Sequence, residues 1–310
     1  MGSYLNRLVE LNDIPELNSI IRSAFGVNVD PEILKKKYFH KYQKKDLSFI
    51  SFSEERTGAS FYGMIYMKAT YNGDVFPIGQ SCDSMTHKSH GGKGLFVNLA
   101  NEAYKNAKEK GIEYIFGFPN ETIYPLRTKK LNWLHYENIN VFQVKISTFP
   151  FAKLAKKLPF FRPLYLAYVN RIVSIHKSHE PFFRNSVLAK NVGGILHDAD
   201  YFEYKSSKDK FVIKIGNIHL WIKIDGYMWI GDFEKTNKEE FNQVFNKLKN
   251  IASRIGCSSI VFRFQEGTSN SELLKHFLDV DHTMPLGYIH LTEKHKNKIF
   301  KFSGADFDSW

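Results

Sequence analysis

Apolar residues in this chain follow two patterns. Short runs bounded by Gly, Asn and Pro predict buried strands, and recurrences every three or four positions predict helices packed on one face. Leu5 to Val9 reads as a first strand. Asp13 is placed to cap the helix that follows and Pro15 suits its first turn, with Leu17, Ile20, Ile21 and Ala24 sharing a face as far as Phe25. Asp30-Pro31-Glu32 opens a second helix carrying Ile33, Leu34 and Tyr38. Ser48 to Ser53 and Phe61 to Tyr71 read as paired strands, and Asn72-Gly73 is a hairpin signal leading into a strand from Val75 to Met85. A glycine-rich turn, His90 to Phe96, precedes an amphipathic helix that Gly111 ends. Ile112 to Phe118 reads as a buried strand and Pro119-Asn120-Glu121-Thr122 as the start of a short helix reaching Trp133. Tyr136 to Ser147 is then expected to be the strand that closes a first domain.

Between Phe149 and Phe183 the pattern changes. Phe149, Phe151, Leu154, Phe160 and Leu164 are interleaved with Lys153, Lys156, Lys157 and Arg162, and Pro159 and Pro163 break the run. One or two basic amphipathic helices are predicted, either as a linker packed between domains or as an element lying on an anionic membrane surface. From Lys210 the strands return: Phe211 to Ile215, Ile218 to Ile224 and Tyr227 to Asp232, with turns at Gly216-Asn217 and Asp225-Gly226. A helix from Lys238 ends at Gly256, and a strand (Ser258 to Phe264), a helix (Asn270 to Leu278) and a strand (Leu286 to Leu291) follow. This order parallels Val75 to Phe142 and reads as an internal structural repeat. The expected organisation is an α+β fold of mixed sheets: a first domain over 1–148, linker helices over 149–185, and a second unit over 186–310.

Composition changes this picture little. The formal net charge of +11 favours anionic partners, but lysines are spread over every segment as solvated faces. No helix-turn-helix, zinc-finger or RNP pattern occurs, so nucleic acid is not expected as a partner. Cys82 and Cys257 both fall in predicted strands, which reads as buried free thiols in a reducing compartment, and no metal site is expected. The stretch MGSYLNRLVELND lacks the apolar core of a signal peptide and the Ser/Thr of a myristoylation signal, and no apolar run is long enough to span a bilayer. A cytoplasmic location is the expectation.

Candidate chemistry concentrates at the glycine turn. Gly91, Gly92 and Gly94 leave main-chain N–H groups unobstructed and tolerate positive φ, and the following helix points its positive end at the same place. Together they form an anion cradle suited to a pyrophosphate. It is not a P-loop, because Lys93 precedes Gly94 and no Ser or Thr follows in register, and the dinucleotide-binding spacing is absent too. The loop resembles the acyl-CoA loop of the GNAT N-acyltransferases, whose pattern is Arg or Gln, two free positions, Gly, one free position, then Gly or Ala. Gly91, Gly92, Lys93, Gly94, Leu95 and Phe96 occupy those positions; Gly94 keeps the pattern, while Gly91 replaces Arg/Gln and Phe96 the small residue. Downstream, Asn120 matches the asparagine after the family's fifth strand, and Leu131-Asn132-Trp133 matches the end of its short helix, with Asn132 where Gly is usual. The resemblance covers roughly Leu5 to Phe142, and the wording around Gly117-Phe118-Pro119-Asn120 is similar to a bacterial subgroup linked to cell-surface sugar modification.

The resemblance implies a GNAT fold in two units, the second degenerate because Phe233 to Asn237 holds no glycine loop. It implies acetyl-CoA as co-substrate and direct attack by a primary amine in a ternary complex, with an amino sugar or sugar nucleotide as acceptor. It places the main chain of Met85 and His87, with Thr86 between them, along the acyl group and pantetheine, Gly91 to Phe96 on the pyrophosphate, and Asn120 on pantetheine or backbone. Tyr38, Phe39, His40 and Tyr42 border the acceptor, and His87 and His90 stand at the mouth of the loop. Asp83, the only carboxylate on the central strand, can act as base, hold the acceptor amine or make a structural hydrogen bond. Where the family places a tyrosine general acid this chain has Arg127 or Thr128, so Tyr124, one turn earlier, is the candidate phenol. The terminal carboxylate of Trp310 is a further candidate base. Two other readings stay open: an aminoacyl transferase of the cell-wall type with paired GNAT units, and a GNAT scaffold without activity.

Overall fold

The computed structural model describes residues 3–180 and 183–310. Met1 and Gly2, read above as part of the N-terminal stretch, and Pro181 and Phe182, read as part of the linker, lie outside the described residues.

From the N-terminus come β1 (Leu5–Leu8), α1 (Ile14–Phe25), α2 (Pro31–Phe39), β2 (Phe49–Phe52), β3 (Gly58–Tyr71), β4 (Asp74–Thr86), α3 (Leu95–Glu109), β5 (Tyr114–Gly117), α4 (Tyr124–Lys130), β6 (Leu134–His135) and β7 (Ile139–Lys145). There follow α5 (Phe151–Lys157), α6 (Arg162–Ser174), β8 (Val192–Ile195), α7 (Ala199–Lys205), β9 (Lys210–Ile215), β10 (Ile218–Ile224) and β11 (Met228–Phe233). The chain ends with α8 (Lys238–Arg254), β12 (Ser259–Gln265), α9 (Ser269–Leu274), β13 (His282–Met284), β14 (Gly287–His290) and β15 (Ile299–Phe300).

Local chemistry accounts for most of these boundaries. Helix α1 buries Ile14, Leu17, Ile20 and Ile21 and stops at Gly26, whose φ of 74° puts it in the left-handed region that glycine enters without penalty. Asp13 does not cap α1 with its side chain. Its carboxylate instead takes both Arg7 guanidinium nitrogens at 2.7 Å and the Glu10 N–H at 2.8 Å, tying the first strand to the start of the helix. Helix α8 is capped by Asn237, which accepts from the Glu240 N–H, and buries Phe241, Val244, Phe245, Leu248 and Ile251.

The chain folds as two compact units. One comprises the residues up to Ala69, Val75–Tyr136 and Pro285–Lys298; the other comprises Thr70–Asp74, Glu137–Met284 and Ile299–Trp310. The sheet of the first unit runs β1-β2-β3-β4-β5-β14-β6. Its strands are antiparallel at β1/β2, β2/β3 and β5/β14, and parallel at β4/β5. The sheet of the second runs β13-β7-β12-β11-β10-β9.

The order of these sheets corrects two expectations. The strand expected to close the first domain, β7, lies instead in the second sheet. It pairs with β12 from Ser259↔Lys145 to Gln265↔Ile139 and with β13 on its other side. In return β14, from the far end of the sequence, sits between β5 and β6 of the first sheet. Each unit thus takes its penultimate strand from the other half of the sequence, so the boundary expected at 148 is not where the structure divides. Period-two burial identifies a strand but not its neighbour. The second correction concerns 149–185. Ala152 and Ala155 of α5 and Tyr165, Val169 and Val173 of α6 belong to the core of the second unit, alongside Phe142, Ile213 and Leu248, so these helices are part of that unit and not a linker.

In the second unit β11 and β12 run parallel only from Met228↔Ile260 to Ile230↔Phe262. Beyond that point the C-terminal segment enters the gap. Ser303 bridges to Phe264, the Gln265 N–H donates to the Phe302 carbonyl at 3.0 Å, and the Trp310 indole covers Gly231 so closely that no Cβ would fit. The terminal residue named above as a candidate base is thus seated by its indole in the second unit, edge-on to Trp221.

Candidate active site

Between β4 and α3 the chain makes the turn that the sequence singles out. Lys88–His90 forms a short 3-10 turn, Gly91 has φ −59°, and Gly92 and Gly94 both have φ +74°. A Cβ on Gly92 or Gly94 would meet nothing within 4 Å, so glycine is favoured there by backbone conformation and not by crowding. Gly94 precedes α3 and receives the N–H groups of Val97 and Asn98 on its carbonyl at 3.1 and 3.2 Å. Among the described residues, no acceptor lies within hydrogen-bond distance of the main-chain N–H groups of Gly92, Lys93, Gly94, Leu95 and Phe96. Successive free N–H donors at the positive end of a fifteen-residue helix are an arrangement suited to an anion.

Side chains add charge at one flank of this turn. Lys93 donates to the Tyr4 hydroxyl at 3.0 Å, which in turn lies 3.0 Å from His90 Nδ1. Burial, and then the positive charge of Lys93, pushes the His90 imidazole below its ordinary value, which keeps it neutral. His87 is less available than the sequence suggests. Its main-chain N–H is spent on the Ala59 carbonyl at 2.8 Å, and its Nδ1 holds Ser89 Oγ at 2.7 Å. The Met85 carbonyl accepts from Ser60 Oγ and Thr86 Oγ1 contacts the same hydroxyl, so side chains of β3 fasten this end of β4. Because main-chain groups alternate sides along a strand, those of Thr86 face away from the neighbour that holds His87.

Strands β4 and β5 pair only at Gly79↔Ile115 and Gln80↔Phe116 and then part. Asp83 lies past that point with φ +32°, a bend in β4 that a non-glycine residue seldom adopts. Its carboxylate meets Lys37 Nζ at 2.5 Å and the Tyr38 hydroxyl at 2.6 Å, both from α2. The Tyr38 hydroxyl reaches it across Gly63, where a Cβ would come within 2.9 Å of that oxygen. Tyr38 was named from the sequence as a candidate acceptor contact. Lys37 was not, since a lysine on a helix ordinarily reads as a solvated one.

Beneath the parting strands lies a buried polar chain. Ser81 Oγ donates to the Tyr62 hydroxyl at 2.7 Å, Tyr62 and Tyr104 share a hydrogen bond at 2.9 Å, and Trp133 Nε1 donates to Tyr104 at 2.7 Å. Arg127 of α4 closes the group. Only 4% exposed, its guanidinium lies 4.5 Å from the Trp133 ring, and its Nη1 is 2.9 Å from where a Cβ on Gly117 would stand. Nε and Nη1 of Arg127 are buried without a hydrogen-bond partner, and no carboxylate pairs with it among the described residues. Burial raises the Tyr62 and Tyr104 phenols, and the nearby Arg127 charge offsets part of that.

Tyr124 and Asn120 both lie at the turn into α4, and Asn120 makes the backbone contact that was one of its two expected roles. Asn120 Oδ1 accepts from the Ile123 N–H at 3.0 Å, and its carbonyl takes the Tyr124 N–H, so Asn120 shapes the turn into α4. Tyr124 lies edge-on to His135 at 5.6 Å between ring centres, and its hydroxyl makes no hydrogen bond among the described residues. Burial raises its phenol. Asp83 and Tyr124, the two catalytic candidates, share no hydrogen bond.

With this geometry in place, residues 6–133 match the family model described as Acetyltransferase (GNAT) domain. No curated protein sequence matches the chain. Among solved structures, a GCN5-related N-acetyltransferase from Kribbella flavida is similar at a TM-score of 0.61 and 11% identity, covering 93% of this chain and 71% of that one. One from Anabaena variabilis aligns at a TM-score of 0.59 and 12% identity, covering 94% and 73%. Identities this low bear on the fold alone, and they extend it over both units. Residues 6–133 thus match the GNAT acetyltransferase domain, and the chain carries the GNAT fold in two units, the second without a glycine loop.

Proposed function

We propose that the chain is an N-acyltransferase that moves an acetyl group from acetyl-CoA to a primary amine, an amino sugar or sugar nucleotide. The single observation that carries this reading is the row of unpartnered N–H groups from Gly92 to Phe96 at the head of α3. They fit the pyrophosphate of coenzyme A, and the parting of β4 and β5 beside them leaves a slot for pantetheine and thioester. In the second unit the corresponding gap holds the C-terminal segment, so one donor site per chain is expected. The sugar class of acceptor comes from the similarity of the segment around Asn120 to sugar-modifying members of the family.

In this reading the amine nitrogen attacks the thioester carbonyl carbon, the C–S bond breaks, and the coenzyme leaves as a thiolate that takes up the proton the amine loses. Asp83 already binds one ammonium, that of Lys37, and a substrate ammonium can exchange with it there, passing one proton to the carboxylate before the neutral amine attacks. Tyr38 fixes the carboxylate in that position. Arg127 supplies positive potential under the slot, where negative charge grows as the thiolate departs.

Thermal melting with acetyl-CoA tests the donor half. At about 100 times its Kd the ligand should stabilise the protein by about 2.7 kcal/mol. No shift would sink the reading. Release of free thiol in the presence of amino sugars tests the acceptor half. Asp83→Asn should then raise the acceptor KM about tenfold, the value of one charge-assisted hydrogen bond, with the acetyl-CoA shift unchanged. An unaltered KM would remove Asp83 from the acceptor site.

A further inference from the structure

A surface helix buries one apolar stripe and turns polar residues outward. Helix α6 departs from this. Tyr165, Val169 and Val173 form its buried stripe, yet the stripe flanking it carries Leu164 and Tyr168 with Arg171 among them and runs on to Ile175 just past the helix end, Tyr168 reaching the Arg254 carbonyl with its hydroxyl. Leu164 and Ile175 are each 70% exposed, and Phe160, in the turn before α6, is 79% exposed. Helix α5 repeats the pattern: Ala152 and Ala155 face the core while Phe151 and Leu154 are exposed, and Phe149 just before it is 63% exposed. Monomeric surfaces seldom expose so many large apolar side chains in one short stretch, and such patches mark interaction sites.

Charge identifies what this surface meets. No Asp or Glu occurs between Glu137 and Glu180, while Lys153, Lys157, Arg171 and Lys177 do, beside Lys156 and Arg162, which pair with Asp225 and Asp209. A groove of about 710 Å³ runs along α6 and β9, with Leu166, Phe211 and Val212 among its apolar lining residues and Lys177 and Lys208 among its cations. Basic residues interleaved with exposed Phe and Leu complement a surface that is anionic outside and apolar just beneath, which describes a bilayer rich in acidic phospholipid. A partner protein of matching shape would have to bring both an acidic and an apolar face. No helix among the described residues is long and apolar enough to cross a membrane, so the contact is made from one side.

We propose that α5 and α6 dock the protein on an anionic lipid surface. Phe149, Phe151, Phe160 and Leu164 enter the headgroup boundary, and the lysines lie against the phosphates. The inference does not depend on the acyl-transfer reading, since none of these residues is in the donor site.

Co-sedimentation of the full chain with vesicles tests it. Phosphatidylcholine vesicles should pellet little protein, and vesicles of phosphatidylcholine mixed equally with phosphatidylglycerol should pellet most of it, with binding falling as salt rises. Phe160→Ser/Leu164→Ser and, separately, Lys153→Gln/Lys157→Gln should each weaken binding about tenfold at an unchanged melting temperature, because all four side chains are exposed. No sedimentation with the mixed vesicles at low salt, equal sedimentation with both kinds, or undiminished binding by both variants would overturn the proposal. So would a parent protein that is dimeric in solution and becomes monomeric in the Phe160→Ser/Leu164→Ser variant, which would make this face a contact between two copies.

Discussion

Gly92→Asp/Gly94→Asp should fold as the parent does and gain no stability from acetyl-CoA at any concentration. Both positions have φ +74°, which costs an ordinary residue about 1–2 kcal/mol, and aspartate is among the side chains that tolerate it best. Neither Cβ would touch a neighbour within 4 Å, so the fold survives. What changes is the electrostatics. The open N–H groups of Gly92 to Phe96 would face two carboxylates in the space a pyrophosphate must enter. Gly216→Asp is the control: φ +62°, equally open space, in a hairpin of the second unit. Thermal melts across an acetyl-CoA titration should show the parent's shift kept in Gly216→Asp and lost in the double variant. A double variant that keeps the shift would place the donor elsewhere than at the head of α3.

The elements of this fold were legible because their signals are local. Asn72-Gly73 makes the β3–β4 turn with φ of 50° and 94°, and Gly26, Gly111 and Gly256 all follow helices in the left-handed region, as their positions imply. What the sequence could not carry was partnership over distance. The alternation in Ile139 to Lys145 marks a strand, but nothing in it says that β12, more than a hundred residues on, is its neighbour. The aromatic and basic run after Phe149 was ambiguous for a related reason. Apolar residues lie on two neighbouring stripes of α6, so periodicity does not separate the stripe that packs from the stripe that is bare.

The site divides the same way. Glycines that must adopt positive φ are visible in sequence because few other residues serve there, and the loop was found from them. Lys37 and Arg127 were given no role from the sequence because their meaning depends on what they face. Lys37 becomes informative only once it lies 2.5 Å from Asp83, and Arg127 only once it is buried without an acceptor. Asn120 was matched by position, but its side chain is engaged in the turn into α4.

Arg127→Met is expected to leave stability unchanged or raise it, while slowing acyl transfer about a hundredfold. The two effects share one cause. An unpaired buried charge costs several kcal/mol in lost hydration, and no carboxylate or carbonyl offsets that cost for Nε and Nη1. The guanidinium over Trp133 recovers about 2 kcal/mol at most, so desolvation wins. Methionine is long and flexible enough to keep the packing on Trp133 without the charge. The parting of β4 and β5 lies above it, and that is where charge develops if acyl transfer occurs there. Loss of a preorganised donor or charge of this kind costs about 10²–10³ in kcat. Chemical denaturation and thiol-release kinetics on the same preparation read both effects, and Arg127→Lys, which keeps a cation but not the fork, should fall between. A variant that loses several kcal/mol of stability, or that turns over as fast as the parent, would make Arg127 a packing residue and leave the slot without its positive floor.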